Sequence, residues 1–281
     1  MAAYARPADL SEALAILASP RPPLILAGGT DYYPARVGKP LNDDLLDITA
    51  IPDLRGIQDA ANHWRIGATV TWGEIAAAEL PPLFDGLRQA AREVGGAQVQ
   101  NAGTLAGNLC NASPAADGAP MLMAMDARLE LQSKGGRREM PLAQFISGNR
   151  RTQLQPGELV TAILVPKPAY QGRSVFLKLG ARRYLVISIA MVGVMLDVAD
   201  GIVQQAGLAI GACSAAAKRL PELEQALVGH KLAPALAQRV LPEHFASLSP
   251  IDDIRADAAY RRDSAMILTR RAIAALAIQK T

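Results

Sequence analysis

The chain has 281 residues and a formal net charge of +3, with half of its residues apolar and a fifth charged. This length accommodates two domains or one large one, and the composition is typical of a globular protein. The small net charge without a Lys/Arg block argues against nucleic-acid binding, and the lack of an apolar run of ~18 residues or of an export signal predicts a cytoplasmic protein without a membrane span.

The first hundred residues contain three predicted short strands and three predicted helices. Residues 8–18 have apolar positions at helical spacing, and Ser11 is placed to cap the first turn. Thr71 begins a second predicted helix over residues 71–80, with Glu74 at the capping-box position. The other predicted elements are a buried strand at 24–27, strands at 45–49 and 64–68, and a helix at 83–94.

The second half of the chain is richer in strands. Residues 121–125 (MLMAM) predict a helix that packs against a sheet, and the pair Asp200-Gly201 is a strong hairpin signal between two strands. Strands are predicted at 128–132, 159–165, 174–179, 187–198 and 203–210, and helical segments at 221–228, 233–240 and 263–278. We therefore expect a second, α+β domain with an antiparallel sheet and helices on one side.

Residues 101–120 (NAGTLAGNLCNASPAADGAP) are almost all small. Such a run buries little apolar surface, but it offers close backbone approach, free N–H donors and short polar side chains. These are the requirements of a loop that wraps a phosphate-bearing ligand. The alternative is a long surface loop. Cys110 lies in this stretch, and we interpret it as a small buried thiol rather than a nucleophile.

A second candidate loop, Gly28-Gly29-Thr30-Asp31, follows the predicted strand at 24–27. Its N–H groups and Thr30 can donate to a phosphate, although a tight turn at a strand end has the same composition. Neither loop has the lysine of a P-loop or a G-x-G-x-x-G pattern between strand and helix. A dinucleotide held between the two loops fits better, because Asn, Thr and Asp side chains suit a polyhydroxyl chain.

The metal-ligating residue types do not form a motif. Cys110 and Cys213 have no ligand-like spacing, and the three histidines, His63, His230 and His244, do not cluster with them. We therefore predict that this chain holds no zinc ion and no iron–sulfur cluster of its own.

Five segments of the chain form a set that occurs together in one known family. They are AGGTD at 27–31, AGTLAGNLCNASPAADGAP at 102–120, LVTAILVP at 159–166, FLKLGARR at 176–183 and DDIRADAAYRRDSAMILTRRAI at 252–273. In this order they resemble the FAD-binding subunit of the molybdenum hydroxylases, the medium-subunit family of xanthine dehydrogenase and carbon monoxide dehydrogenase. The resemblance spans nearly the whole chain, and its middle segment is the specific one.

The resemblance implies an α+β fold with an FAD-binding domain of the vanillyl-alcohol-oxidase (PCMH-like) type over residues 1–168. That domain would comprise two α/β subdomains, at about 1–55 and 56–168, and a C-terminal flavoprotein domain would cover 169–281. The resemblance also implies the cofactor-binding residues. The first pyrophosphate loop would consist of Ala27, Gly28, Gly29, Thr30 and Asp31, and the second would contain Thr104, Gly107 and Asn108. The residues near ribityl, pyrophosphate or ribose groups would be Asn111, Ser113 and Asp117, and those near the adenine and the isoalloxazine ring would be Leu159 and Lys178.

Two features, at three positions, depart from the family pattern. Ala106 stands where the family often has glycine, so its backbone would be strained if that position needed positive φ. Tyr32 and Tyr33 stand where the family commonly has aliphatic residues, and we interpret them as core residues rather than as a cover for the flavin or a partner surface. For Lys178 the alternative to a cofactor contact is a solvated strand lysine.

The family implies an electron-transfer subunit and no substrate chemistry by this chain alone. FAD would be noncovalent, since neither loop carries a histidine, and no residue of this chain would be catalytic. A large molybdopterin subunit and a small subunit with [2Fe–2S] clusters would be its partners, in a heterotrimer or a dimer of heterotrimers, and NAD⁺, oxygen, a quinone or another acceptor would take the electrons. Alternatives are a self-contained flavin-dependent reductase or oxidase of the same fold class, and a flavin-free scaffolding subunit.

Overall fold

A computed structural model describes residues 2–183 and 185–278 of the chain. Met1, Tyr184 and residues 279–281, which the predicted domains include, lie outside the described residues. The helices are α1 (Leu10–Leu17), α2 (Trp72–Ala77), α3 (Asp85–Glu93), α4 (Ala97–Ala102), α5 (Leu105–Asn111), α6 (Gly118–Ala124), α7 (Leu142–Phe145), α8 (Pro221–Leu227) and α9 (Ala258–Ile278). Short 3-10 segments lie at Pro34–Arg36, Pro52–Leu54, Pro82–Phe84, Pro234–Arg239 and Pro242–Phe245.

The strands form two small sheets and two larger ones. They are β1 (Tyr4–Ala5), β2 (Leu24–Leu26), β3 (Leu45–Asp47), β4 (Ile57–Asp59), β5 (His63–Gly67), β6 (Arg128–Ser133), β7 (Gly136–Pro141), β8 (Ile146–Gly148), β9 (Arg151–Thr152), β10 (Leu159–Pro166), β11 (Gln171–Leu179), β12 (Ala190–Ala199), β13 (Ile202–Gly211) and β14 (Lys218–Arg219).

The N-terminal sheet is parallel, in the order β1-β3-β2, and β2 leads directly into the glycine loop at 28–31. The next sheet is antiparallel, in the order β4-β5-β10-β6-β7. Its centre is β10, where Ile163 pairs with Ile66 on one side and Leu129 on the other, and all three side chains are fully buried. The apolar run predicted as a strand at 159–165 is therefore the core strand of the second sheet.

Two details near the N-terminus differ from the prediction. Asp9, not Ser11, caps α1, because its carboxylate accepts from the Glu12 N–H at 2.8 Å. The strand predicted as buried at 24–27 has Leu24 and Ile25 exposed, since β2 is an edge strand and both residues line a pocket. An apolar run alone does not distinguish a core strand from the wall of a binding site.

The capping box predicted at Thr71 is confirmed. The Glu74 N–H donates to the Thr71 hydroxyl at 3.2 Å, and the Glu74 carboxylate accepts from the Thr71 N–H at 2.7 Å. The helix ends at Ala77 rather than at residue 80, since Ala78 already has extended backbone with ψ of 136°.

The small-residue stretch at 101–120, predicted as a loop that wraps a ligand with a long surface loop as the alternative, is mostly helical. The Thr104 hydroxyl accepts from the Gly107 N–H at 3.0 Å and so begins α5, whose residues Leu105 and Leu109 are fully buried. Ala106 lies inside α5 without positive φ, so the suspected strain is not at this position. The left-handed backbone falls instead on Ala112, with φ of 47°, at the end of α5.

The C-terminal sheet is antiparallel, in the order β11-β12-β13-β14. Asp200 and Gly201, with φ of 51° and 74°, form the predicted hairpin turn between β12 and β13. Helices α8 and α9 cover one face, and α3 and α6 from the first half of the chain cover the other. Helices therefore lie on both faces rather than on one side as predicted, because the second face is covered by elements distant in sequence.

Close contact between α6 and this sheet depends on glycine. A Cβ at Gly207 would lie 1.9 Å from the Ala124 carbonyl oxygen, and one at Gly193 would lie 2.7 Å from the Met121 Cα. Residues of β12 alternate between two hydrophobic cores, with Met191 facing α6 and Val192 facing α9. The methionine cluster predicted as a sheet-packing helix is confirmed as α6.

None of the helices within residues 2–183 and 185–278 combines the length and the apolar character that crossing a membrane requires.

Candidate cofactor site

A pocket of about 500 Å³ lies where the N-terminal sheet, the glycine loop, helix α5 and strand β10 meet. Its volume is in the range of a small-molecule or cofactor site. The predicted binding residues that line it are Ala27, Gly28, Gly29, Thr30, Asp31, Thr104, Gly107, Asn108, Asn111 and Leu159. The fold thus brings the two candidate loops, more than 70 residues apart in the printed sequence, to the same cavity.

The loop at 28–32 leaves its backbone N–H groups unused. Within the described residues, none of the N–H groups of 28–32 donates to a protein acceptor, while the Gly29 and Asp31 carbonyls accept from Tyr33 and Ala35. Backbone N–H groups that point away from regular structure form concave sites for anions. The loop therefore offers a row of donors to a ligand in the pocket.

Side-chain donors stand beside these backbone groups. The Thr30 hydroxyl has no hydrogen-bond partner among the described residues and lies close to Gly103. Asn108 uses its Oδ1 atom to accept from the Gly118 N–H at 3.1 Å, so its amide nitrogen remains a donor. Thr104 accepts from Gly107 and keeps its hydroxyl proton. The arrangement suits a ligand with phosphate and hydroxyl groups.

The two loops touch at Gly28. A Cβ on this residue would lie 1.8 Å from the Ala102 carbonyl oxygen and 2.5 Å from its carbonyl carbon. Both atoms belong to the backbone of α4, which cannot move aside as a flexible side chain would. Gly28 is therefore required by close packing of two chain segments, and its φ angle is not the reason.

The rest of the pocket wall is apolar on one side and polar at one edge. Leu24, Ile25 and Trp72 supply apolar surface, and Trp72 was not among the predicted site residues. At the edge, Tyr32 donates to Asp43 at 3.0 Å, and Arg36 lies 3.8 Å above the Tyr32 ring. Partial burial and the hydrogen bond to Asp43 raise the pKa of the Tyr32 phenol.

The interpretation of the two tyrosines as core residues was wrong. Tyr32 is half-buried and lines the pocket, and Tyr33 is exposed. The Tyr33 ring packs against Gly29, where a Cβ would come within 2.6 Å of it. Tyr33 thus supports the loop from outside.

Three predicted site residues do not line the pocket, and their assignment stays a prediction. Ser113 holds the turn after α5 by accepting from the Ala115 N–H at 3.3 Å. Asp117 and Lys178 form an ion pair of 3.0 Å, with only 5% of the lysine side chain exposed. The alternative of a solvated strand lysine at 178 is therefore wrong.

The Asp117–Lys178 pair joins the first half of the chain to the C-terminal sheet. Ser188 donates to the Asp117 carboxylate at 3.4 Å, and the Lys178 ammonium donates to the Glu93 carbonyl at 3.4 Å. Burial raises the pKa of the Asp117 carboxyl, and the neighbouring Lys178 charge opposes this rise. The pair is thus a buried charge pair of the kind in which removal of one partner leaves an uncompensated charge.

Sequence reasoning missed Arg150, which joins both loops at the rim of the pocket. Its Nη1 atom donates to Asp31 Oδ2 at 2.9 Å and also to Asn111 Oδ1. Arg150 lies in the turn between β8 and β9, in a segment (GNRRT) with no motif that could have identified it. Only the folded chain brings this arginine to residues of the two loops.

Cys110 opens onto the pocket, contrary to the expectation of a buried thiol. The surrounding protein nevertheless desolvates it strongly enough to raise the pKa of the thiol from 9.0 to about 12. The thiolate is the reactive form of cysteine, so this environment disfavours a nucleophilic role.

We expect Cys110 to react with iodoacetamide at about pH 8 roughly fiftyfold more slowly than an unperturbed thiol, since its thiolate fraction is much smaller and the higher nucleophilicity of a more basic thiolate offsets only part of that difference. The measurement is the rate of carbamidomethylation at Cys110 by peptide mass spectrometry, in a Cys213→Ser variant. A free peptide containing residues 105–113 is the reference. Reaction of the native chain at the rate of the peptide would contradict the raised pKa.

No group of three or more His, Cys, Asp or Glu side chains in the described part of the chain has a geometry that could hold a metal ion.

Two families of known proteins match the chain in succession. Residues 1–168 match the family described as "FAD binding domain in molybdopterin dehydrogenase", and residues 176–276 match the "CO dehydrogenase flavoprotein C-terminal domain". The nicotine 6-hydroxylase medium subunit of Paenarthrobacter nicotinovorans is 30% identical over 278 residues, which cover 96% of this chain and 95% of that protein. The nicotinate dehydrogenase FAD-subunit of Eubacterium barkeri is 31% identical over 271 residues, or 92% of this chain and 90% of that protein.

Solved structures give the same result at the level of the fold. Carbon monoxide dehydrogenase of Hydrogenophaga pseudoflava has a chain that matches with a TM-score of 0.85 at 27% identity, covering 97% of this chain and 96% of that chain. Quinoline 2-oxidoreductase of Pseudomonas putida 86 matches with a TM-score of 0.87 at 25% identity, covering 99% and 97%. The predicted fold class, a PCMH-like FAD-binding domain followed by an α+β domain, is confirmed.

Proposed function

Because this chain belongs to the family of FAD-binding subunits of the molybdenum hydroxylases, we propose that it holds FAD noncovalently in the pocket between the loop at 28–32 and helix α5. The observation that carries this proposal is the row of unused backbone N–H groups at 28–32. They line a pocket of about 500 Å³ together with the second loop, and a diphosphate needs such donors. The residues present therefore fit a dinucleotide.

In this proposal each part of the pocket has its own role. The N–H groups of 28–32 bind the pyrophosphate, and the side chains of Thr30, Thr104 and Asn108 orient the ribityl and ribose hydroxyls. The apolar wall around Leu24 and Leu159 excludes water from the ring systems. The other predicted cofactor-binding residues are Asn111, Ser113, Asp117 and Lys178. In the described structure Asp117 and Lys178 bind each other, so their role is to hold the C-terminal sheet against α6 beside the pocket.

When bound, FAD supplies the redox chemistry that joins single-electron carriers to a two-electron acceptor. We propose that this chain receives electrons from the [2Fe–2S] clusters of a small partner subunit and delivers them to NAD⁺, oxygen, a quinone or another acceptor. A large molybdopterin subunit would oxidise the organic substrate, in a cytoplasmic heterotrimer or dimer of heterotrimers. The names of the relatives, which are medium or FAD subunits of dehydrogenases and hydroxylases, support this division of labour.

We further propose that the FAD-binding domain covers residues 1–168, with subdomains at about 1–55 and 56–168, and that the C-terminal domain covers 169–281. The boundary falls between β10, which ends at Pro166, and β11, which begins at Gln171. One hydrophobic core lies mainly in the first part, and a separate core lies between the C-terminal sheet and α9. The division between these cores supports the proposed boundary.

We expect the purified chain to carry about one FAD per polypeptide, released by denaturation because no covalent bond holds it. The measurement is an absorbance spectrum, followed by identification of the released flavin, for the chain alone and for the chain co-expressed with its genomic neighbours. Co-purification with iron–sulfur and molybdenum subunits is the expected result of the second experiment. A colourless chain, or a yellow one that oxidises an organic substrate unaided, would contradict the proposal.

A further inference from the structure

Arg150 connects the two loops of the pocket without lining the pocket itself. Its guanidinium donates to the Asp31 carboxylate at 2.9 Å and to the Asn111 side-chain oxygen. Asp31 belongs to the first loop and Asn111 to the end of α5, and both line the cavity. One side chain outside the pocket therefore connects two residues that line it.

The backbone at Arg150 is strained in a way that fixes this geometry. Arg150 has φ of 55°, in the left-handed region that residues other than glycine seldom adopt. Its N–H donates at 2.8 Å to the carbonyl of Ala112, which itself has φ of 47°. Strained residues of this kind persist where the surrounding structure holds them, often at functional sites. The fold therefore fixes the backbone from which the Arg150 side chain extends, and with it the direction of that side chain.

The pocket has a negative charge at Asp31, and Arg150 neutralises it. Among the described residues that line the pocket, the charged ones are Asp31 and Arg36. Arg36 is already paired with Asp43 at 2.7 Å, so it is poorly placed to neutralise Asp31. A bare Asp31 carboxylate would stand in the same loop as the N–H groups at 28–32 and would repel a dianionic diphosphate. The ion pair with Arg150 removes this repulsion.

We propose that Arg150 is a positioning residue that makes the pocket selective for the diphosphate-bearing form of the flavin, by neutralising the Asp31 carboxylate. The proposal rests on the proposed FAD-binding function and assigns to Arg150 no contact with the reacting atoms. Because this role is electrostatic, the effect of Arg150 should depend on the charge of the ligand. A residue that only stabilised the loops would affect charged and uncharged flavins alike.

The experiment measures the binding of FAD and of riboflavin, which lacks phosphate, to the deflavinated full chain by flavin fluorescence. Arg150→Ala is expected to raise the dissociation constant for FAD about tenfold at low salt, as a half-exposed pair in a water-like dielectric would. The constant for riboflavin should not change. The FAD effect should shrink as added salt shortens the Debye length.

Four further variants separate charge from geometry. Arg150→Gln, which can still donate to Asn111 but carries no charge, should lose FAD affinity as Arg150→Ala does, and Arg150→Lys should retain most of it. Arg150→Ala combined with Asp31→Asn should recover FAD binding, because no carboxylate remains to be neutralised. Arg151→Ala is the matched control, since the neighbouring Arg151 is exposed and makes no ion pair within the described residues.

Each contrary result has a definite meaning. Equal losses for FAD and riboflavin, full affinity of Arg150→Gln, or no recovery in the double variant would overturn the role of Arg150 while leaving the cofactor site intact. A loss in Arg151→Ala as large as in Arg150→Ala would do the same. Failure of the unaltered chain to bind FAD would overturn the proposed function itself and this proposal with it.

Discussion

Gly28→Ala is expected to abolish stable FAD binding and to lower the free energy of unfolding by about 3 kcal/mol, at the upper end of the usual cost of overpacking. The added methyl group would lie 1.8 Å from the Ala102 carbonyl oxygen. Because the obstructing atoms are backbone atoms of α4, the glycine loop and the second loop must separate to make room. The N–H groups at 28–32 and the donors of α5 would then no longer face one ligand.

The measurement for Gly28→Ala combines flavin content after purification with urea unfolding of the chain. Gly135→Ala is the matched control, because Gly135 has ordinary φ and a Cβ there would meet its nearest neighbour at 3.6 Å. We expect the control to retain FAD and to differ little in stability. A Gly28→Ala protein that retains its flavin and its stability would show that the two loops do not need their close contact.

Lys178→Met is expected to destabilise the chain by about 3–5 kcal/mol, the usual result of leaving one member of a buried ion pair without its partner. Only 5% of the Lys178 side chain and 12% of the Asp117 side chain are exposed, so water compensates little for the lost contact. Asp117→Asn combined with Lys178→Met should recover much of the loss, because no buried charge remains. Lys167→Met is the control: its ion pair with Asp59, whose side chain is 68% exposed, contributes at most about 1 kcal/mol.

The loss in Lys178→Met should depend on pH with a defined sign. Burial raises the pKa of Asp117 in the folded state above the ordinary value of 3.8. At pH values between 3.8 and the raised pKa, the folded state therefore binds more protons than the unfolded state. Stability from this group is therefore present at low pH and is lost as pH rises through the raised pKa. Removing Lys178 raises that pKa further. The destabilisation should be smaller at about pH 5 than at about pH 8, and an equal loss at both would contradict the buried-charge explanation.

Local patterns in the sequence predicted the elements whose formation depends on near neighbours. The capping box of Thr71 and Glu74 and the Asp200-Gly201 turn each involve residues at most three positions apart, so no distant contact is needed to form them. The central strand β10 was visible as an uninterrupted apolar run. The two small-residue stretches at 27–31 and 102–120 indicated the binding site, because close backbone approach requires glycine and alanine whatever the rest of the fold.

The same reasoning failed where burial decides the local conformation. The stretch at 101–120 resembled a loop by composition, yet Leu105 and Leu109 supply enough apolar surface, once packed, to hold α5. Leu24 and Ile25 resembled a buried strand, yet they form a pocket wall. In both cases the outcome depends on which other parts of the chain cover these residues. Secondary-structure propensity is a local property and gives no information about that.

By itself, the sequence determined the fold class, the order of most elements and the two loops that meet at the pocket. Only the tertiary structure decided which charges meet. Arg150 and Asp31 are 119 residues apart, and Arg150 and Asn111 are 39 residues apart. Lys178 reaches Asp117 only because α6 packs on the glycines of the C-terminal sheet. The physical reason is that helix and strand signals repeat every few residues and can be read from neighbouring positions. An ion pair depends instead on the distance in space between two charges, and the local sequence pattern contains no information about that distance.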